Sequence, residues 1–346
     1  MRNIVLTEPF RFAATESDRP EPGSDEALVR VRRVGVCGTD LHAYKGEQPF
    51  FDYPRIVGHE LAVEIVAFSP GGDTHGAKGE LKEGDLCVVN PYLNCGTCIA
   101  CRKGKPNCCT RIAVLGVHTD GGMREFFTLP RGHLLAAPGL SADEMAMVEN
   151  QAIGAHAVRR AAIEEGEFVL VIGAGPIGLG VVHFAALRGG RIIVMDISEE
   201  RLSYCRANCP VIETLNAADD GAARVEAITA GDYPTAVFDA TGNAASMNRA
   251  IEYVAHGGRL VFVGLTQEEI RFANPEFHKR ELTLLGSRNA ADEDFAHVME
   301  SMKTGAVRTD RLISHRATLD TVIDSFEEWI DPASGVVKAV VDLDDH

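Results

Sequence analysis

Positive charge is in short supply: 34 Lys and Arg against 50 Asp and Glu leave the chain at −16. A nucleic-acid partner selects for the opposite imbalance, so that class of function is excluded at the outset. Long apolar runs are also missing. No window approaches the ~18 uninterrupted apolar residues of a membrane span, and the N-terminal MRNIVLTEPFRF has neither an apolar core nor a small-residue cleavage site. There is no repeat at solenoid periods and no low-complexity tract. These absences lead us to expect a cytoplasmic protein with no membrane partner. The nine cysteines are an odd number, which without a secretory signal argues against a disulfide framework. The rest of the composition, 45% apolar and 24% charged over 346 residues, suffices for two domains with their own cores.

Five of the nine cysteines crowd into NCGTCIACRKGKPNCCT, residues 94–110. Cys95, Cys98 and Cys101 recur every third residue and Cys109 follows after seven positions, so four sulfurs can converge on one tetrahedral Zn²⁺ and leave Cys108 spare. Arg102, Lys103 and Lys105 would offset the thiolate charge. An iron–sulfur cluster fits less well, because the last spacing is wrong for the ferredoxin run and no proline follows Cys109. A closed four-ligand site orders a loop and has no open position for a substrate. Chemistry must therefore come from elsewhere in the chain.

From Glu26 to about Pro138 short alternating or apolar runs bounded by Gly, Pro and Asp predict a loop-rich β domain. From about Glu149 to Ser287 the apolar runs FVLVIG, RIIVMD, AVFDAT, RLVFVG and LTLLGS alternate with helix-length segments, and VIETLN adds a weaker sixth. That alternation predicts a doubly wound parallel sheet, hence an α/β protein. A helix in DEDFAHVMESMKTG and a strand in GVVKAVVDL would then return to the first domain. The expected division is 1–147, 148–287 and 288–346.

Within the second region, GAGPIG places Gly173, Gly175 and Gly178, with Pro176 and Ile177 between them, directly after a buried strand and at the opening of a helix. In that setting the glycines allow a tight turn, close approach of a pyrophosphate and close helix–strand packing. Asp196 ends the next strand, where a carboxylate accepts ribose hydroxyls and repels a 2′-phosphate, which favours NAD over NADP. Arg201, on the following segment, is the residue that could reach such a phosphate. Thr241 in FDATGN and Val263 and Gly264 in FVGL close later strands and are candidate walls for ribose and nicotinamide, or simple strand exits.

Two segments of the β-rich half carry further metal donors. GVCGTDLH offers Cys37, and VGHE offers His59 and Glu60; three protein ligands would leave Zn²⁺ the open position that catalysis needs. Together with the four-cysteine loop, the DGG at 120–122 and GAGPIG, this order of motifs resembles the zinc-dependent medium-chain dehydrogenases/reductases, the alcohol, sorbitol and threonine dehydrogenase group. The resemblance spans nearly the whole chain. It implies a GroES-like catalytic domain, a Rossmann cofactor domain, an active site in the cleft between them, and two zinc ions per chain. It also implies that Cys37 and His59 ligate the catalytic zinc, that Thr39 and His42 belong to a proton relay, and that Asp40 lies near the metal. A homodimer or homotetramer is expected on the same ground.

One departure is informative. Members similar to liver alcohol dehydrogenase have a second cysteine ligand near the start of the cofactor domain, whereas this chain has none between Cys109 and Cys205. Glu149 stands in its place, where sorbitol-type members have Glu followed by Pro; here Asn150 replaces the Pro. Either Glu60 or Glu149 could complete the ligand set. The segment is similar to bacterial sugar-acid and polyol dehydrogenases, which implies hydride transfer between NAD and a polyol, sugar or sugar acid. A threonine, diol or simple alcohol as substrate is the alternative, and a nonenzymatic cofactor or metal sensor a remote one. Tyr44, Phe50, His118 and Arg288 are candidate pocket residues.

Overall fold

The structure, a computed structural model, describes residues 1–69, 75–76, 79–219, 221–309 and 311–344. The chain divides into two units, Met1–Glu149 with Ala291–His346, and Asn150–Ala290. Among the described residues no helix is long and apolar enough to cross a membrane.

The first unit is built on a seven-stranded mixed sheet. Its strands run in the order Leu134–Ala136, Leu86–Val89, Glu60–Phe68, Glu26–Val36, Lys338–Asp342 and Ile313–Thr318, with Phe126–Pro130 also pairing with Glu26–Val36. The last two strands in that order are parallel, and the remaining pairs antiparallel. Inward residues such as Val29, Val31 and Val34 are fully buried in a core shared with Leu61, Val63 and Phe326. The register matters for function: Gly35 faces Glu60 and Val36 faces Ala339. Cys37, Glu60 and Lys338 are therefore carried to the same end of three neighbouring strands.

The second unit contains a six-stranded parallel sheet. Its strands, Phe168–Ile172, Arg191–Asp196, Val211–Asn216, Ala236–Asp239, Arg259–Phe262 and Thr283–Gly286, lie in the order 3-2-1-4-5-6 counted along the chain. The central strands are apolar on both faces, as Val169, Leu170, Val171 and Val237 show by being fully buried, which is why they read as continuous rather than alternating runs. VIETLN forms the third strand despite its weak pattern, its polar residues sitting at a sheet edge. The architecture is α/β: a Rossmann sheet in one unit and a β-rich GroES-like body in the other. An antiparallel hairpin, Arg2–Glu8 with Arg11–Glu16, precedes the region expected to be β-rich.

Candidate metal centres and dinucleotide site

The Glu26–Val36 strand runs out at Cys37, which caps the helix Gly38–Lys45. The backbone N–H of Cys37 donates to Asp40 Oδ2 at 2.9 Å, and that of Gly58 donates to Oδ1 at 3.2 Å. Gly58 has φ +98°, a left-handed conformation that favours glycine, and it turns the chain so that His59 follows directly. The DGG segment holds this turn from the other side: Gly121 N–H donates to Ile56 O, Met123 N–H to Val57 O, and Asp120 Oδ1 accepts from Ile56 N–H. His59 Nδ1 lies 3.7 Å from Asp40 Oδ1. Two loops remote in sequence are thus locked together through one buried carboxylate, Asp40.

Ligand atoms of Cys37, His59 and Glu60 all lie within 4.8 Å of one another. Glu149, on the helix Ala142–Ala161, falls outside that group but is buried beside it. Its Oε1 accepts a hydrogen bond from the Tyr92 hydroxyl, and its Oε2 has no hydrogen-bond partner among the described residues. Glu60 Oε2 pairs with Lys338 Nζ, both side chains being almost completely buried, while Glu60 Oε1 has no hydrogen-bond partner among the described residues. Burial raises the Glu149 carboxyl to about 7, against the lowering effect of His59 and with Glu60 adding to the rise. Burial pulls His59 and Lys338 down, yet the charges of Asp40 and Cys37 hold His59 well above its ordinary value, and those of Glu60 and Cys37 hold Lys338 above its own.

This set fits a dication. One thiol and three buried carboxyls share one lysine and one imidazole, and burying ionised groups without compensation costs several kcal/mol each. A thiolate, an imidazole and a carboxylate are the donor types that Zn²⁺ accepts.

The other cluster is formed by Cys95, Cys98, Cys101 and Cys109, whose sulfurs also lie within 4.8 Å of one another. Backbone N–H groups of Cys95 and Arg111 both donate to Cys109 Sγ at 3.3 Å. A hydrogen bond from Arg111 lowers the Cys95 thiol to about 5, and backbone N–H groups lower Cys98 to about 6. The cation that reaches a sulfur is therefore Arg111, whereas the Arg102 guanidinium donates to the Thr97 carbonyl. Cys108 is exposed outside the cluster.

In the second unit Gly173 follows the Phe168–Ile172 strand directly and Gly175 caps the helix Pro176–Leu187. A Cβ on Gly178 would lie 1.8 Å from Gly173 O, so helix and strand pack at a distance only glycine allows, whereas one on Gly175 would meet only Arg201 Nη1, at 3.9 Å. That is the open cradle a pyrophosphate needs at a helix N-terminus. Pro176 and Ile177 are half-buried beside it. Asp196 accepts from Ala174 N–H at 2.6 Å and Ser198 N–H at 2.8 Å, fixing it against the glycine turn. Thr241 lies next to Gly173 and donates its hydroxyl to Asp239 Oδ1 at 2.7 Å, while Val263 and Gly264 donate their N–H groups to the Asp239 carbonyl. Asp239 is fully buried and organises these strand exits.

Thr39 is half-buried in the first turn of the Gly38–Lys45 helix, and His42 is exposed one turn later, 3.0 Å from Glu47. Tyr44, expected in the pocket, is instead a core residue: it is 2% exposed and stacks on Phe12 at 5.3 Å. Its place on the inward face of a short helix decides this, since its neighbours Phe12 and Phe326 bury the ring. Phe50 is exposed and stacks on His118 at 6.4 Å, and Arg288 is exposed in the second unit. Tyr92 and Lys338 were not anticipated. A lone lysine inside the apolar GVVKAVVDL was the signal for the latter.

A Cys₄ structural zinc site, a Cys/His/Glu catalytic site and a Rossmann dinucleotide cradle define a zinc-dependent NAD(P) dehydrogenase. The chain belongs to the zinc-binding medium-chain alcohol dehydrogenase family. Residues 23–139 match the alcohol dehydrogenase GroES-like domain and residues 176–304 the zinc-binding dehydrogenase domain. It is 41% identical to L-galactonate-5-dehydrogenase of Escherichia coli K12, over 99% of this chain and 98% of that one. It is 30% identical to sorbitol dehydrogenase of Bacillus subtilis, over 93% and 91%. Among solved structures it is similar to the rspB alcohol dehydrogenase of E. coli CFT073 in complex with NADH (TM-score 0.91, 29% identity, 99% of both chains). It is also similar to a zinc-binding dehydrogenase of Sinorhizobium meliloti 1021 bound to NADP (TM-score 0.89, 28% identity, 99% of both chains).

Proposed function

We propose that the protein uses NAD to oxidise a secondary hydroxyl of a polyol, sugar or sugar acid. The observation that carries this reading is the group of half-buried Cys37 with buried His59 and Glu60, beside carboxylate oxygens of Glu60 and Glu149 that have no hydrogen-bond partner among the described residues. Cys37, His59 and Glu60 would hold a zinc ion, with Glu149 as a second carboxylate at the same place. When bound, the metal supplies a Lewis acid for the substrate hydroxyl and the nicotinamide supplies the hydride acceptor.

The chain's own residues do the rest. Asp40 fixes Cys37 and the His59 loop, and Lys338 balances Glu60. Tyr92 orients Glu149 by donating its hydroxyl. Thr39 and His42, three apart on one helix, face the same side; Thr39 relays the hydroxyl proton, accepting it as it gives up its own, and the exposed His42 or bulk water receives that proton. Asp196 supports NAD, since a carboxylate against the glycine turn disfavours a 2′-phosphate. Arg201 beside Gly175 and the NADP-bound relative favour the second reading, use of NADP.

The sugar-acid and polyol relatives, and Glu149 in place of a second cysteine, support a polyhydroxylated substrate. The test is formation of NADH or NADPH across polyols, aldoses, sugar acids and simple alcohols, each with and without a zinc chelator. We expect chelator-sensitive turnover of one polyhydroxylated class with NAD. Cys37→Ser should abolish it while NADH binding persists. Turnover restricted to amino-acid or simple alcohols would replace the substrate assignment, and normal turnover by Cys37→Ser would remove the metal site from the reaction.

A further inference from the structure

The strand Glu26–Val36 changes parity before it reaches the metal site. Val29, Val31, Val34 and Val36 all belong to the apolar core of the first unit, although Val31 and Val34 are three apart and successive strand residues alternate faces. The register explains this: Val31 lies opposite Val63 and Arg33 opposite Ala62, so Arg32 is one residue more than the neighbouring strand can match. A β-bulge of this kind moves the side chains beyond it to the other face of the sheet. Without it, the alternation of Val29 and Val31 would have carried Gly35 and Cys37 to the core side. With it, Gly35 shares the opposite face with Glu60, whose carboxylate a Cβ on Gly35 would strike, and Cys37 follows two residues on. The helix Ala142–Ala161 lies over that face, the same Cβ being 3.1 Å from Ala146 O.

Arg33, directly after the extra residue, is only 8% exposed, and its guanidinium meets three carboxylates. Nε lies 2.7 Å from Asp143 Oδ1 and Nη1 pairs with Asp342, both as ionic contacts, while Nη2 donates to Asp344 Oδ2 at 3.3 Å. Asp342 stands opposite Arg33 on the last strand, and Asp143 lies in the first turn of the helix that carries Glu149. The planar fork of an arginine can spread over three such groups, whereas the compact ammonium of a lysine cannot. Each element tied here bears a side chain of the metal site farther along. Cys37 is four strand residues, ~13 Å, beyond Arg33, Lys338 is the same distance before Asp342, and Glu149 is six helical residues, ~9 Å, beyond Asp143. We propose that Arg33 is a positioning residue of the Cys37 metal site: it clamps the bulged strand to the helix and to the last strand, and so sets where Glu149 and Lys338 stand relative to Cys37 and Glu60. The inference rests on the reading of Cys37, His59 and Glu60 as zinc ligands.

The experiment uses the full chain with zinc kept in the four-cysteine loop and cobalt placed at the Cys37 site, where the ligand-field spectrum reports the arrangement of the donors. In Arg33→Met we expect a shifted spectrum and cobalt held at least about tenfold more weakly against a competing chelator, the scale on which groups supporting metal ligands act. Zinc in the loop and NADH binding should persist, as a check on folding. Asp143→Asn leaves Arg33 on Asp342 and Asp344 and should shift the spectrum in the same direction, and adding it to Arg33→Met should change little further, since both remove one contact. If Arg33→Met fails to fold, Asp143→Asn and Asp342→Asn carry the test, each removing a single carboxylate. A lower melting temperature with spectrum and cobalt retention unchanged in the folded variants would reduce the network to a structural role and overturn the proposal. Wild-type protein that takes up no cobalt beyond the loop would instead overturn the assignment of the metal site.

Discussion

At the scale of single residues, the site depends on a lysine whose chemistry is unusual for its position. Lys338 is 2% exposed at the start of a strand whose next three residues are apolar, and its ammonium pairs with Glu60, itself fully buried. Removing one member of a buried pair leaves the other charge uncompensated, which costs about 3–5 kcal/mol. Lys338→Met should therefore destabilise the metal-stripped protein by about that amount in urea unfolding. The loss should be smaller in the metal-loaded protein, where the dication takes over the balancing of Glu60; equal losses in both forms would separate Lys338 from the metal site. Cys37, His59 and Glu60 were legible in the sequence because donor residues cluster in two short motifs. Lys338 and Tyr92 were not, because they act only through contacts that sheet register and folding create: Lys338 precedes the residue opposite Val36, and Tyr92 meets a carboxylate 57 positions away. Tyr44 misled for the converse reason, since nothing in GVCGTDLHAY states which face of the helix turns inward.

Among elements, the turn from the Phe168–Ile172 strand into the Pro176–Leu187 helix separates two uses of glycine. At Gly178 an added methyl would collide with Gly173 O, a backbone atom that cannot swing aside, whereas at Gly175 it would enter open space near Arg201. Gly178→Ala should lower both thermal stability and NADH affinity, the latter by at least about tenfold, or ~1.4 kcal/mol. Gly175→Ala should keep its melting temperature and lose affinity alone, because the methyl occupies the approach of the pyrophosphate. A stability loss in both variants would show the glycines to be needed only for packing. The sheet to which this turn belongs was readable because strands buried on both faces are written as unbroken apolar runs. The hairpin Arg2–Glu8 with Arg11–Glu16 was not, because Arg11–Glu16 is mostly exposed and its residues carry little alternation to detect.

For the whole molecule, the two units divide the chemistry. Both metal clusters lie in the unit formed by Met1–Glu149 and Ala291–His346, and the glycine cradle with Asp196 lies in Asn150–Ala290. That division follows from the change of texture along the chain, short strands with many turns first, then alternating strands and helices. Residues 94–110 contain a four-residue helix, Ile99–Arg102, and a single 3₁₀ turn, Pro106–Cys108, with no buried apolar side chain in either. The convergence of its four thiols is then the main source of order, and metal binding there is folding free energy. Chelation should raise amide hydrogen exchange across 94–110 by at least about tenfold, with a smaller rise around 37–42 and 57–60, where hydrogen bonds of Asp40 and the DGG segment persist. The strands Phe168–Ile172, Arg191–Asp196 and Ala236–Asp239 should retain their protection, and the chelated protein should still bind NADH, because each is held by a core of its own. Exchange that rose equally in both units on chelation would mean that metal sustains the cofactor unit as well, and would make loss of turnover on chelation uninformative about the catalytic site.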